Sequence, residues 1–400
     1  MKGIDRREFM KTGARNLAAV ALGSAIGIPQ IFRQTEVLAA NQSLTLEITE
    51  VLHQMVDKTL VYSWAFINPS LGPQPTIPGP VIYAIEGDQI TITVRNRHNK
   101  AGAIHAFAIT GTVPGTYLAN TQTGPIAPNR EVTITFTAPP AGTYMYLDPT
   151  NDPVSRVLGL HGMMIIRPAT STGAAVTPYG PSNITPNVQA LFDDLGNTTH
   201  FPGLPWDPAR EHIWILSQID PTFNKLAQDN EPINPSDMVN NFLPRYYTMN
   251  GRSGYFSAHD PDIQLIGRAG EPRLIRCMNV GLAVHSNHVH ANHAYRISYD
   301  GVVQNNVWWV DTWTTRGGDI YDILYPMVMP PDIPLDTWNK LKNGTSQEGF
   351  DDNPMHGTNK GFPMWYPMHC HLEMSQTAAG GNYPQGMVTH IVFTGAVPGV

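Results

Sequence analysis

The chain has 400 residues and a formal net charge of −7 at neutral pH, and 14% of its residues are charged. So sparse and acidic a charge leaves no basic stripe for nucleic acid, and no apolar run reaches the roughly 20 residues that a membrane-spanning helix needs. Gly and Pro number 35 each, with abundant Thr and Val, which favours short strands and turns and predicts an all-β chain.

The first forty residues stand apart. Asp5-Arg6-Arg7-Glu8-Phe9-Met10-Lys11 is a twin-arginine pattern, followed by a weakly apolar run from Leu17 to Ile28 and the small-residue exit Val37-Leu38-Ala39-Ala40. This is the layout of a cleaved export signal, and it predicts a periplasmic or otherwise exported protein. Residues 1–40 carry six basic and three acidic residues, so the net charge without them is −10.

Residues 41–168 read as one β domain. Strand-like runs occur at 44–51, 60–66, 81–85, 89–95, 131–137, 142–147 and 163–167, with Gly, Pro and Asn between them, the spacing of a Greek-key sandwich. Residues 169–209, rich in Pro, Gly, Ser, Thr and Asn, read as a linker with a helical turn near 188–194. A second β domain spans 210–400, and its proline-rich stretch 326–351 reads as an irregular surface excursion.

The chemistry-bearing residues cluster in that second domain. In Val284-His285-Ser286-Asn287-His288-Val289-His290, His288 and His290 share a strand parity that His285 does not. In Tyr366-Pro367-Met368-His369-Cys370-His371-Leu372-Glu373, an extended backbone sends the Cys370 thiol to one face and the His369 and His371 imidazoles to the other. Imidazole and thiolate donors in this number suit copper. The only other cysteine, Cys277, alternates within a strand-like run and reads as a small buried hydrophobe.

These two segments resemble the multicopper oxidases, proteins built from cupredoxin domains. Thr76-Ile77-Pro78-Gly79-Pro80 with the following Glu86–Val94 run resembles that family's first-domain opening, and Tyr246-Tyr247-Thr248-Met249-Asn250-Gly251 resembles the start of its last domain. The resemblance implies two cupredoxin-like Greek-key β-sandwiches. It also implies a type 1 copper held by His285, Cys370 and Met387, and a second copper site on His105, His288, His290, His369 and His371. Cys370 would then be where electrons enter from a small-molecule or metal-ion donor, with dioxygen as acceptor. Asp148 reads as an acid/base beside the second site, or as a turn residue before Pro149. Two-domain members usually form homotrimers with the second site between subunits, so the resemblance implies a homotrimer.

The chain departs from the family in two places. Phe107, Leu147 and Pro149 stand where first-domain histidines are expected, leaving His105 alone; His161, isolated between glycines, reads as a packing or loop histidine, with filling a vacant position as the alternative. The loop after Cys370 holds no histidine, so the type 1 set lacks an evident second imidazole; Met374 is an alternative donor, and His390 has the wrong parity. The function expected is a laccase-like copper oxidoreductase. The alternatives are a non-catalytic exported structural or copper-binding protein, or a nitrite reductase-like enzyme.

Overall fold

The computed structural model describes residues 42–71, 77–170, 175–342, 362–379 and 381–400. The expected export signal and residues 343–351 of the expected excursion lie outside them. Strict alternation builds the first domain: in β4 (Gln89–Asn96), Ile90, Ile92 and Val94 are buried while the intervening threonines are not. β4 pairs with β1 (Gln42–Gln54) in parallel and with β6 (Glu131–Thr137) in antiparallel, and β2 (Leu60–Ile67) completes the sheet β2-β1-β4-β6. On its outer face, Thr91 meets Thr135 and Thr93 meets Thr133 through paired hydroxyls. The facing sheet, β3-β8-β7-β5, comprises β3 (Ile82–Ile85), β5 (Ala108–Ile109), β7 (Gly142–Leu147) and β8 (His161–Arg167). Phe66, Ile92, Phe107, Tyr146 and Ile166 fill the space between the sheets.

The second domain is a larger sandwich. One sheet, ordered β10-β9-β12-β17-β14-β15, contains β9 (Glu211–Ile219), β10 (Tyr246–Met249), β12 (Arg273–Asn279), β14 (Ala294–Tyr299), β15 (Val302–Val310) and β17 (Ile320–Tyr325). The other, ordered β11-β19-β18-β13-β16, contains β11 (Leu265–Ala269), β13 (His285–Val289), β16 (Thr312–Thr315), β18 (Met364–Cys370) and β19 (Val388–Ala396). Trp214, Cys277, Ile323, Met368 and Phe393 share the core. The architecture is the all-β pair of sandwiches expected. Cys277 is fully buried and unbonded, its thiol pushed up to about 12 by that burial.

The stretch that reads as a linker is packed. Its helix Pro186–Asp194 and the segment after it press Val188, Phe192, Phe201 and Trp206 onto Leu274, Ile297 and Leu324, covering the outer side of the six-stranded sheet. Two further helices, Pro221–Asp229 and Pro235–Asn241, escape a reading tuned to strands. Each carries the signal for its own start: Asp220 and Asn234 cap Thr222 N–H and Ser236 N–H, with proline at the first helical position. In the expected excursion, helix Leu335–Lys342 buries Trp338 and Leu341 in the second-domain core. The domains meet through Met145, Leu147, Met163 and Ile165 against Ile213, Ile215, Met278 and Ile320.

Candidate metal centre

β18 lies antiparallel to β13, with Cys370 opposite Asn287, His369 opposite His288 and Met368 opposite Val289. Period-2 alternation then sorts the donors onto two faces. His285, Asn287, Val289, Met368 and Cys370 are buried on the core side, whereas His288, His290, His369 and His371 stand on the outer side, half-buried except for exposed His371. Ala291, at φ 68°, turns the chain just past His290. The buried Tyr325 phenol pins that turn, donating to His290 O at 2.8 Å and accepting from Asn292 N–H at 3.1 Å.

On the outer face, the ligand atoms of His288, His290 and His369 lie within 4.8 Å of one another. His290 Nε2 is 3.3 Å from His369 Nε2, and His371 Nε2 is 2.6 Å from His288 Nδ1. Asp311 Oδ2 approaches His288 Nε2 at 3.7 Å. Burial, reinforced by the neighbouring imidazoles, lowers His290 to about 4 and holds His288 and His369 below the usual histidine value. These rings are therefore neutral at pH 7 and carry lone pairs. His369 Nδ1 is buried without a hydrogen bond of ordinary geometry, although the Cys370 backbone acts on the ring. Convergent neutral imidazoles fit copper.

The inner face is different. Cys370 Sγ is 3.6 Å from His285 Nδ1 and accepts from Ser286 N–H at 3.3 Å. Met387 is buried in the same apolar cluster. Among the described residues no third His, Cys, Asp or Glu joins this pair within 4.8 Å. His390 does not fill the gap: its Nδ1–H donates to Ala258 O at 2.9 Å and its ring sits against Trp365. Met374 is 67% exposed. A blue copper centre wants two imidazoles with its thiolate and thioether, and this face supplies one.

The structure does not bring His105 to the other four histidines within the chain. It is buried in the first domain with both ring nitrogens engaged, Nδ1 with Asp148 Oδ2 at 2.7 Å and Nε2 with His98 Nδ1 at 2.8 Å. His98 Nε2 continues to Tyr62 Oη at 3.3 Å, and Tyr62 donates to Glu50 Oε1 at 2.5 Å. Asp148 also accepts from Ala106 N–H and Thr150 N–H, so it is both a turn former and the carboxylate that orients His105. His161 is buried, its Nδ1–H held by Arg156 O at 2.7 Å.

Sequence reasoning missed Gln218, Tyr325 and Asp311. Gln218 had a signal: it is an amide two residues past the apolar run 213–216 of β9 and just before Ile219, and it is wholly buried. The segment 307–313 holds three tryptophans with different fates. Trp308 and Trp309 are exposed on edge strand β15, with Trp309 beside His293 at 4.7 Å, while Trp313 is buried and stacked on Trp214. A cavity of about 500 Å³ between the domains, lined by Tyr117, Arg156, Tyr299 and Arg316 among others, contains none of the histidine donors.

The family model for multicopper oxidases matches residues 68–171, within the first domain. No curated protein sequence matches the chain. Among solved structures, the blue copper oxidase of Nitrosomonas europaea superposes with a TM-score of 0.56 at 20% identity, over 88% of this chain and 85% of that one. The multicopper oxidase mgLAC gives 0.55 at 19% over the same shares. The copper nitrite reductase of Nitrosomonas europaea gives 0.54 at 17% over 88% and 94%. At these identities the likeness is one of fold. With the domain match beside it, the chain carries a multicopper oxidase domain on a two-sandwich cupredoxin fold, and copper is the cofactor this family implies.

Proposed function

We propose that the protein is a copper-dependent oxidoreductase whose metal is held by His288, His290, His369 and His371. The observation that carries this reading is the convergence of the neutral His288, His290 and His369 imidazoles on one face. Bound there, copper supplies one-electron redox chemistry between a small reductant, a phenol or a metal ion, and dioxygen. The chain's own residues do the rest. Burial keeps His288, His290 and His369 neutral, the β13–β18 register fixes the spacing of the donors, and Tyr325 holds the His290 turn. Half-exposed Asp311 places a carboxylate 3.7 Å from His288 Nε2, at the margin of the imidazole cluster. Exposed His371 leaves the face open to small reactants.

Export by the twin-arginine route and assembly as a homotrimer belong to the same proposal. A folded, metal-loaded chain suits that route, and the open outer face suits a neighbouring subunit. Sedimentation of the full chain tests the trimer, a monomer at all concentrations being the contrary result. The nitrite reductase alternative has less support, because both cysteines lie in the second domain and the first has no thiol for copper.

The test is metal analysis of copper-loaded protein with oxygen uptake on phenols, Cu(I), Fe(II) and Mn(II). His288→Ala with His369→Ala is expected to abolish both copper retention and uptake. Wild-type protein that stays metal-free after loading would instead support a structural role, and uptake that survives the double substitution would move the chemistry elsewhere.

A further inference from the structure

The inner face is organised by Gln218, whose amide orientation the backbone dictates. Its Oε1 accepts from Leu282 N–H at 2.7 Å and from Ala283 N–H at 2.9 Å, so the NH₂ end points the other way. One of those hydrogens goes to Asn279 Oδ1 at 3.2 Å. Asn279 is itself oriented, since its Nδ2 donates to Ala283 O and Thr315 O while its Oδ1 also accepts from Gly281 N–H. The second hydrogen meets His285 Nε2 at 2.5 Å. Glycine at 281 makes room for this arrangement, because a Cβ there would lie 1.8 Å from Gln218 Oε1.

A ring nitrogen that accepts a hydrogen bond cannot also carry a proton. His285 Nε2 is that acceptor, so the ring's proton sits on Nδ1, the nitrogen that faces Cys370 Sγ. Histidines that bind metal have the reverse arrangement: the nitrogen toward the metal is bare, and the other donates to a carbonyl, carboxylate or water.

We infer that Gln218 is a positioning residue that keeps His285 in the Nδ1–H tautomer, so that His285 and Cys370 form a hydrogen-bonded pair closed to metal, and copper binds on the outer imidazole face alone. The last clause rests on the copper reading of that face; the tautomer does not. The missing second imidazole and the exposure of Met374 agree with it, since neither supplies a donor to compensate. Cys370 then acts on the outer site through its backbone, fixing His369 and His371 from behind.

The test is a nitrogen-15 to proton correlation spectrum of the His285 ring in the full, copper-free chain, followed by visible spectroscopy after copper loading. The expected result is the Nδ1–H pattern in wild type and no intense blue thiolate-to-copper absorption. Cys370→Ser should bind the same amount of copper per chain. Gln218→Glu keeps an acceptor for Leu282 and Ala283 but turns the His285 partner into an acceptor, and it should move the ring proton to Nε2. An Nε2–H pattern in wild type, a blue band that Cys370→Ser removes, or an unmoved proton in Gln218→Glu would each overturn the inference. If Gln218→Glu does not fold, the wild-type spectrum still decides. A chain that takes up no copper, yet shows the Nδ1–H pattern, sinks the copper reading and leaves the tautomer standing.

Discussion

A carboxylate sealed from water is tolerated only where donors surround it. Asp148 meets that condition with three: Ala106 N–H at 3.0 Å, Thr150 N–H at 2.9 Å and His105 Nδ1–H at 2.7 Å. Removing the carboxylate in Asp148→Ala strands all three and should lower stability by about 3–5 kcal/mol, the range for breaking a buried pair. Copper content should be unchanged, because both His105 nitrogens serve the first-domain network and neither serves the outer face. Denaturant unfolding with metal analysis checks both halves, and copper loss without loss of stability would return His105 to the metal site. The sequence made the division of donors at Cys370 legible, since it depends only on adjacent residues alternating along a strand. The fate of His105 was not legible. It turns on His98, seven residues away, and on Asp148, 43 away, and nothing local says which of them the imidazole will face.

Elements show the same boundary between local and distant causes. Strand runs with strict alternation, such as Gln89–Asn96 and Glu131–Thr137, occur where period-2 patterning puts them. The 169–209 stretch misleads because its composition is that of a linker while its few large residues, Phe192, Phe201 and Trp206, are spaced to cover a sheet that forms about 100 residues later. Site geometry likewise depends on a clamp between elements. The β13–β14 turn carries His290 and is held by a phenol from β17, with a left-handed Ala291 at its apex. Tyr325→Phe deletes the donor to His290 O and the acceptor for Asn292 N–H while keeping the packing. It should cost about 1–3 kcal/mol of stability. Copper affinity should fall about tenfold, the lower end for partners that orient ligands from outside the site. Calorimetric titration of copper into both proteins measures the change, and equal affinities would show that the turn holds its shape without the clamp.

At the scale of the whole molecule, the two sandwiches are fastened by a buried polar knot as well as by apolar surface. Arg276 pairs with Glu211 at 2.8 Å and with Asp322 at 2.9 Å; Asp322 also accepts from Thr143 of the first domain at 2.5 Å and from Tyr179 of the crossing segment at 2.6 Å. Each domain in addition encloses a neutral histidine, His161 held at about 4 and His212 at about 3, burial being the main cause in both. Unfolded, both titrate near the ordinary value of about 6.5. Below that pH the unfolded chain takes up protons that the folded chain refuses, so stability falls as pH drops and goes on falling until the folded values are reached. The sign is that of a depressed histidine: stability is complete above about pH 6.5 and decays from there toward pH 4 to 3, each residue contributing on the order of 3 kcal/mol at the acid end. Because the knot and the shared apolar contact bind the sandwiches together, protonation in either one should unfold both. Thermal melts of the metal-free protein from pH 7.5 to 4 should therefore show a single transition whose midpoint declines with acid, with a shallower decline in His161→Gln and in His212→Gln. Two transitions moving independently with pH would mean that the domains fold separately. A flat midpoint down to pH 5 would mean that these histidines are charged, or hydrated, in the folded state.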